Sequence, residues 1–296
     1  LEGPGAPIET SSSATLPERS FLAYLKLDHV SFEKKTDARD DEGDTNAYWM
    51  YGLGYGIRSY LSAYLFVPYY AKKTEDNSYN TAGFADLSLM TVVGFRIDDT
   101  IRLVPANESL DDLEDLHFTL YGGLTLPTGD ADLRNADGAI DPGMSLGFGK
   151  PSVMIGLTAT KQIETRFTGS LDGSMIRFQE REYEDGARVR FGTELRLNGS
   201  LGARLLTDTG RGIRLDANLE GNFLDLGRDE TDGAGEEATG GRMIYALAGL
   251  RLYAKSSSLG VGIKRPVWTD LNEEPLQQGA EGKEDLRLVV TFSTLL

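Results

Sequence analysis

From about residue 20 to residue 295 the chain alternates apolar and polar side chains, in stretches of about ten residues or more. In 116–126, Leu116, Phe118, Leu120, Gly122, Leu124 and Leu126 oppose His117, Thr119, Tyr121, Gly123 and Thr125. In 213–222, Ile213, Leu215, Ala217, Leu219 and Gly221 oppose Arg214, Asp216, Asn218, Glu220 and Asn222. A period of two is the period of a β-strand with one apolar face. About twelve such segments occur, near 20–33, 47–58, 60–71, 84–97, 116–127, 151–162, 165–178, 189–206, 212–225, 242–254, 257–267 and 285–295. Strands of globular proteins usually run about 5–6 residues, whereas a tilted strand crossing a bilayer needs about 9–11. The length therefore points to a transmembrane barrel whose apolar parity faces lipid.

The connections carry a second signal. Taken in order, most of them alternate between long, acidic stretches and tight turns. Long ones include 34–46 with DARDDEGD, PTGDADLRNADGAIDPGMSLGFGK, GRDETDGAGEEATGG and WTDLNEEPLQQGAEGKE. Short ones include Ile57–Tyr60, QIET, TDTGRG and KSSS. Outer-membrane barrels have this asymmetry, with short periplasmic turns and long extracellular loops. The connection at 98–115 breaks the pattern, because a short turn is expected there and the sequence reads DDTIRLVPANESLDDLED. Asn107 or Ser109 could cap a short helix over SLDDLEDL. A soluble β-sandwich also alternates, but it seldom sustains a dozen strands of this length.

Composition narrows the function. No apolar run reaches the roughly 18–20 residues of a spanning helix. The chain lacks cysteine, which removes disulfides and thiolate metal sites. A net charge of −16 argues against nucleic acid. The sequence begins LEGPGAPIET, so an exported protein would have had its signal peptide removed. The expected organisation is all-β: residues 1–19 form a periplasmic or lumen-inserted segment, and residues 20–296 form one antiparallel transmembrane β-barrel of about twelve strands.

With the apolar parity turned to lipid, the other parity lines a lumen. Tyrosines Tyr24, Tyr48, Tyr60, Tyr64, Tyr121, Tyr245 and Tyr253 fall on it, with Lys26, Asp28, Met50 and Phe66. A second set is charged: Arg166, Asp172, Glu194, Arg196, Arg204, Arg214, Asp216 and Glu220. Their order along the chain predicts a tyrosine-rich wall facing a mixed-charge wall. Tyrosine rings can stack on apolar bodies while their hydroxyls stay hydrated. The blander alternative is that large side chains simply fill a narrow barrel and pair across neighbouring strands.

Several motifs resemble a known family. LTLPTGD (124–130), GTELRLNGSLGARL (192–205), RLDANLEGN (214–222), GGRMIYALAGLRLY (240–253) and VGIKRPVWTDLN (261–272) resemble, in sequence and order, the outer-membrane transporter family tied to the meta-pathway of phenol degradation. The resemblance covers roughly residues 47–296. It implies a barrel in the outer membrane of a Gram-negative bacterium that moves small, often aromatic or apolar molecules, with no catalytic residues and no cofactor. Members commonly end on an aromatic residue, whereas this sequence ends FSTLL, with Phe292 four residues earlier.

Two other functional classes are open from sequence. In one, the barrel is a structural or interaction protein. Its acidic loops (Asp37–Asp44, Asp229–Glu237, Glu273–Glu284) would then bind ions, lipopolysaccharide or an extracellular protein. In the other it is a lipid-modifying enzyme. His29 and Ser31 share one strand face about 6–7 Å apart, and Asn46 could orient the histidine. An interfacial polar pair is the plainer reading, and His117 reads as a hydrogen-bonded lumen side chain. DADLRNADG departs from a calcium loop at Arg134 and Asn135. The glycines of GLGYG lie inside a strand and read as room for lumen side chains or strand bending. Trp49, Tyr51, Tyr69 and Trp268 are candidates for an interfacial aromatic girdle.

Overall fold

The computed structural model describes residues 5–33, 43–74, 80–97, 100–105, 116–135, 137–184, 186–273 and 283–296. Twelve long strands form its wall: β1 (Phe21–Phe32), β2 (Gly43–Arg58), β3 (Leu61–Thr74), β4 (Leu87–Ile97), β5 (Leu116–Leu126), β6 (Ser152–Ile163), β7 (Phe167–Phe178), β8 (Glu194–Asp208), β9 (Ile213–Leu226), β10 (Gly241–Ala254), β11 (Ser257–Leu271) and β12 (Glu284–Leu295). Each pairs antiparallel with its sequence neighbours, and β1 pairs with β12 from Leu22↔Leu295 to Phe32↔Glu284. The sheet is thereby a closed barrel without a free edge, as a bilayer requires of backbone that has no water to bond.

The barrel is inside-out relative to a water-soluble protein. Leu171 is 68% exposed and Leu219 62%, while Thr158 and Asp216 are at most 1% exposed. On β5 the leucines, Phe118 and Gly122 are exposed or half-exposed, and His117, Thr119 and Tyr121 are buried. The same parity runs through β6, where Val153, Ile155 and Leu157 face out and Ser152, Thr158 and Thr160 face in. Such an apolar exterior is stable only against lipid.

At one end the connections are tight: Ser59–Tyr60, 164–166, 209–212 and Lys255–Ser256. Lys255 (φ 53°) and Gly212 (φ 67°) take the left-handed conformation that such reversals need. The first and last strands also meet here, with Leu296 N donating to Phe21 O at 2.8 Å. This is the periplasmic end by the rule for outer-membrane barrels. The 98–115 connection also joins its strands at this end, and the opposite end carries the other long connections.

Most of the strands expected from sequence form near the expected residues, and several reach further at the extracellular end, β3 to Thr74 and β11 to Leu271. Three details differ. The fourth wall strand is interrupted at Ala85–Asp86, with Thr81–Phe84 pairing separately on β3. Val189 and Arg190, expected to open the eighth segment, join a small extracellular sheet instead, in which Arg188–Arg190 pairs with Arg181–Glu182 and Glu230–Thr231, and the latter with Ala234–Gly235. In the 98–115 connection, Ile101–Leu103 folds back on Phe95–Ile97, and the expected helix over SLDDLEDL lies outside the described residues.

Candidate functional site

The lumen is where the inward parity converges, and side-chain hydrogen bonds knit its wall. Asp172 on β7 accepts from Tyr121 Oη (2.9 Å) and Thr158 Oγ1 (2.8 Å) on one oxygen and from Asn198 Nδ2 (3.0 Å) on the other. Asn222 Nδ2 continues the chain to Asn198 Oδ1 at 3.1 Å. On β9, Arg214 and Asp216 form a two-point pair, Nε–Oδ1 and Nη2–Oδ2 both at 2.7 Å. Both are buried, so each removes the cost of leaving the other as a lone interior charge.

Residues 5–18 enter this lumen from the periplasmic end and turn at mid-height. Gly5 N donates to Thr168 Oγ1 (3.0 Å) and Ala6 N to Tyr253 Oη (2.6 Å). Ile8 packs with Leu247 and Val289. At the apex the Glu220 carboxylate accepts from the N–H groups of Ile8, Glu9 and Thr10 and from Thr10 Oγ1. Glu9 is in turn held by Lys264 Nζ at 2.9 Å, with Lys26 Nζ at 3.9 Å. The segment then descends: Ser13 N donates to Thr160 Oγ1 (2.9 Å), Ser13 Oγ to His117 O (3.0 Å) and Leu16 N to Ser62 Oγ (2.9 Å).

The glycines of GLGYG make room for that descent. A Cβ on Gly54 would stand 2.8 Å from Leu16 Cδ1, and one on Gly56 would stand 2.0 Å from Pro17 O. On β10 and β11, Gly249, Gly260 and Gly262 leave the same kind of space for Ile8.

Above the apex the lumen changes character. Lys26 Nζ lies 2.9 Å from Asp28 Oδ2, and Arg287 Nη1 lies 3.6 Å from the same oxygen. Arg287 also pairs with Glu284. Asp28 stands in register with Tyr48, whose ring meets Tyr70 edge-on at 5.0 Å. Asp28 Oδ1 and Glu9 Oε2 are buried, and neither has a hydrogen-bond partner among the described residues. Arg196 Nε donates to Glu194 Oε2 (3.1 Å), and the Arg196 side chain is 44% exposed on the lumen parity. Met243, Tyr245 and Leu271 form an apolar cluster on the same inner surface.

The connection after β5 also folds toward this mouth. Lys72 Nζ donates to the carbonyls of Gly143 (2.7 Å) and Ser145 (2.8 Å), and Asp86 accepts from Gly129 N and Phe148 N, both at 2.8 Å. Phe148 packs on Phe178 and Phe191 at 4.6 and 5.0 Å. Within it Asn135 Oδ1 accepts from Asp137 N and Ala139 N, and Arg134 bridges antiparallel to Ile140.

Most residues expected in the lumen lie on its inward parity: Tyr24, Tyr48, Tyr64, Tyr121, Tyr245, Tyr253, Asp172, Glu194, Arg196, Arg214, Asp216 and Glu220. Two do not. Tyr60 sits in the β2–β3 turn, where its carbonyl accepts from Gly94 N. Arg166 sits exposed in the β6–β7 turn, 5.8 Å over the Phe167 ring. In both cases the alternation begins earlier than the strand, which starts at the next residue, Leu61 or Phe167. The expected division into two walls also fails, because Tyr253 is the register partner of Arg214 and Tyr245 that of Asn222.

The reading of His29 and Ser31 as an enzyme site loses its third group. Both are on the lipid parity, but Asn46 pairs with Val30, points inward and donates to Tyr48 Oη at 2.7 Å. Of the acidic loops, Asp229 Oδ1 accepts from Gly192 N, and Glu230 and Asp232 pair with Arg190 and Arg188. Most of Asp37–Asp44 and Glu273–Glu284 lies outside the described residues. Sequence reading missed Glu9, Lys264, Arg287 and Tyr70. Lys264, Arg287 and Tyr70 carry the inward parity and were legible in principle. Glu9 has no periodic signal around it.

Residues 34–269 match the model of a family described as "Putative MetA-pathway of phenol degradation". The fold resembles the crystal structure of an outer membrane channel from Pseudomonas putida, at 14% identity and a TM-score of 0.70, over 96% of this chain and 98% of that one. The β-domain of a Bordetella autotransporter aligns over 94% of this chain and all of that one, at 11% identity and a TM-score of 0.49. The translocator domain of a Neisseria meningitidis autotransporter aligns over 95% and 89%, at 14% identity and a TM-score of 0.49. No curated protein matches the chain.

Proposed function

We propose that this chain, which belongs to the MetA-pathway phenol-degradation family, is an outer-membrane channel for small aromatic or amphipathic molecules that carry a hydroxyl. The observation that supports this most is the composition of the lumen above residue 9. Aromatic rings and unsatisfied acceptors stand together there: the Tyr48–Tyr70 pair beside Asp28 Oδ1, with Glu9 Oε2 across Lys26. A buried acceptor without a donor is costly. A hydroxyl that displaces the surrounding side chains would donate to it while its ring rests on tyrosine. The protein uses no bond-making chemistry in this reading. It supplies shape, acceptors and a path.

Residues 5–18 set the narrow point of that path. They are held by hydrogen bonds and ion pairs to the wall, so transport requires the segment to shift or a gap to persist beside it. Liposomes loaded with a phenol-responsive dye test the proposal. Tracer entry should be faster with the protein than without it and should slow with Asp28→Ala, which removes the acceptor. The expected slowing is larger for phenol than for benzene, which lacks the donor. Equal rates for protein-bearing and empty liposomes would contradict it.

A further inference from the structure

The lipid face carries a second feature that the channel reading does not use. On β7 the outward parity runs Leu171, Gly173, Met175, Arg177, so it is apolar until the extracellular end and then becomes cationic. The register neighbour of Arg177 on β6 is the exposed Val153, and that of Met175 on β8 is Leu195. Arg177 opens a pocket of about 370 Å³ shared with Met175, Arg190, Phe191, Thr193 and Arg228. Arg190 pairs with Glu230, which also lines the pocket. Arg177 and Arg228 are exposed and have neither ion-pair nor hydrogen-bond partners among the described residues.

Two free guanidinium groups in one pocket are unexpected in a chain of net charge −16. Their place is equally specific. They sit at the outer rim, directly above a lipid-facing strip of leucine, methionine and valine. A headgroup anion and its acyl chains would meet these two surfaces in that order. Arginine suits phosphate because its planar fork can bond two oxygens at once, and basic groups at a membrane interface attract anionic lipid.

We infer that this rim pocket binds a phosphate of an outer-leaflet glycolipid, with the phosphate between Arg177 and Arg228 and an acyl chain along Met175, Leu195 and Val153. Glu230 does not oppose binding, because Arg190 already neutralises it. The small extracellular sheet that carries Arg190 and Glu230 then has a role of its own, since it holds the upper wall of the lipid site.

Native mass spectrometry of the full chain in detergent, titrated with bis-phosphorylated lipid A, tests the inference. The wild type should retain the lipid. The double variant R177Q/R228Q should retain about tenfold less, the order expected when charge-assisted bonds are lost. R177K/R228K should keep most of the binding, which shows that charge rather than damaged folding sets the result. R265Q, on the lipid face of β11 and paired with Asp285, should bind as wild type. Lipid A stripped of phosphate should bind the wild type as weakly as lipid A binds the glutamine variant, and inorganic phosphate at equal concentration should not displace lipid. Unchanged retention by R177Q/R228Q, or displacement by inorganic phosphate alone, would overturn it.

Discussion

The periplasmic half of the lumen is filled by the chain's own residues 5–18, whereas the extracellular half is lined by ion pairs, tyrosines and a small apolar cluster. The lower half bonds much of its polar wall to the inserted segment. Thr160, Ser62, Thr168 and Tyr253 each bond backbone of the inserted segment. The upper half keeps unsatisfied acceptors at Asp28 and Glu9 and a half-exposed Arg196. One half therefore resembles a packed interior and the other a binding surface. The boundary between them is Glu220, which collects three consecutive backbone N–H groups at the apex.

Removing the filling should break the contrast most strongly. A variant lacking residues 5–18 is expected to form the same barrel, since those residues contribute no wall strand. Its single-channel conductance should rise by roughly an order of magnitude, because a barrel of this strand number has interior width beyond what its wall side chains fill. An unchanged conductance in planar bilayers would mean that the segment does not occupy the path.

Loosening the apex should have the next largest effect. Glu220→Ala removes an ionised acceptor of several hydrogen bonds, each worth about 1.5–3 kcal/mol. The expected outcome is flickering conductance and earlier proteolysis near residue 10. Glu220→Gln keeps an acceptor oxygen and should flicker less. Crowding the descent is a milder disturbance. Gly56→Val places side-chain carbon where Pro17 O now stands, so it should shift the open probability while leaving the largest conductance level unchanged. The smallest effect belongs to the upper half. Arg196→Gln should alter cation-over-anion preference, with the change shrinking as salt rises because the side chain is half-exposed. A reversal potential under a salt gradient measures it, and an altered unit conductance would place Arg196 at the narrow point instead.

The wall was readable from sequence because it obeys a local rule. Leu116 to Leu126 alternate, and alternation over a bilayer's thickness leaves few other folds. The inserted segment obeys no such rule. Its partners are Glu220, Lys264, Thr160 and Ser62, far away along the chain, and no periodicity in 1–19 points to them. Indirect signs existed. Gly52, Gly54 and Gly56 share the inward parity, which leaves a groove that something must fill, and Glu220 is a carboxylate on the same parity. Turn residues were misplaced for the opposite reason: Tyr60 and Arg166 carry the alternation back into the turn before the ladder begins at Leu61 and Phe167. The mixing of tyrosines with charges follows from closure. β10 stands beside β9, so a tyrosine on one faces the same space as a charge on the other.

The most direct measurement is the flux of a phenolic tracer into liposomes bearing either the full chain or the variant lacking residues 5–18. The account predicts entry above that of empty liposomes for the full chain. It also predicts faster entry, with weaker discrimination between phenol and benzene, for the variant. If both proteins leave the rate at that of empty liposomes, the lumen is not a path for such molecules.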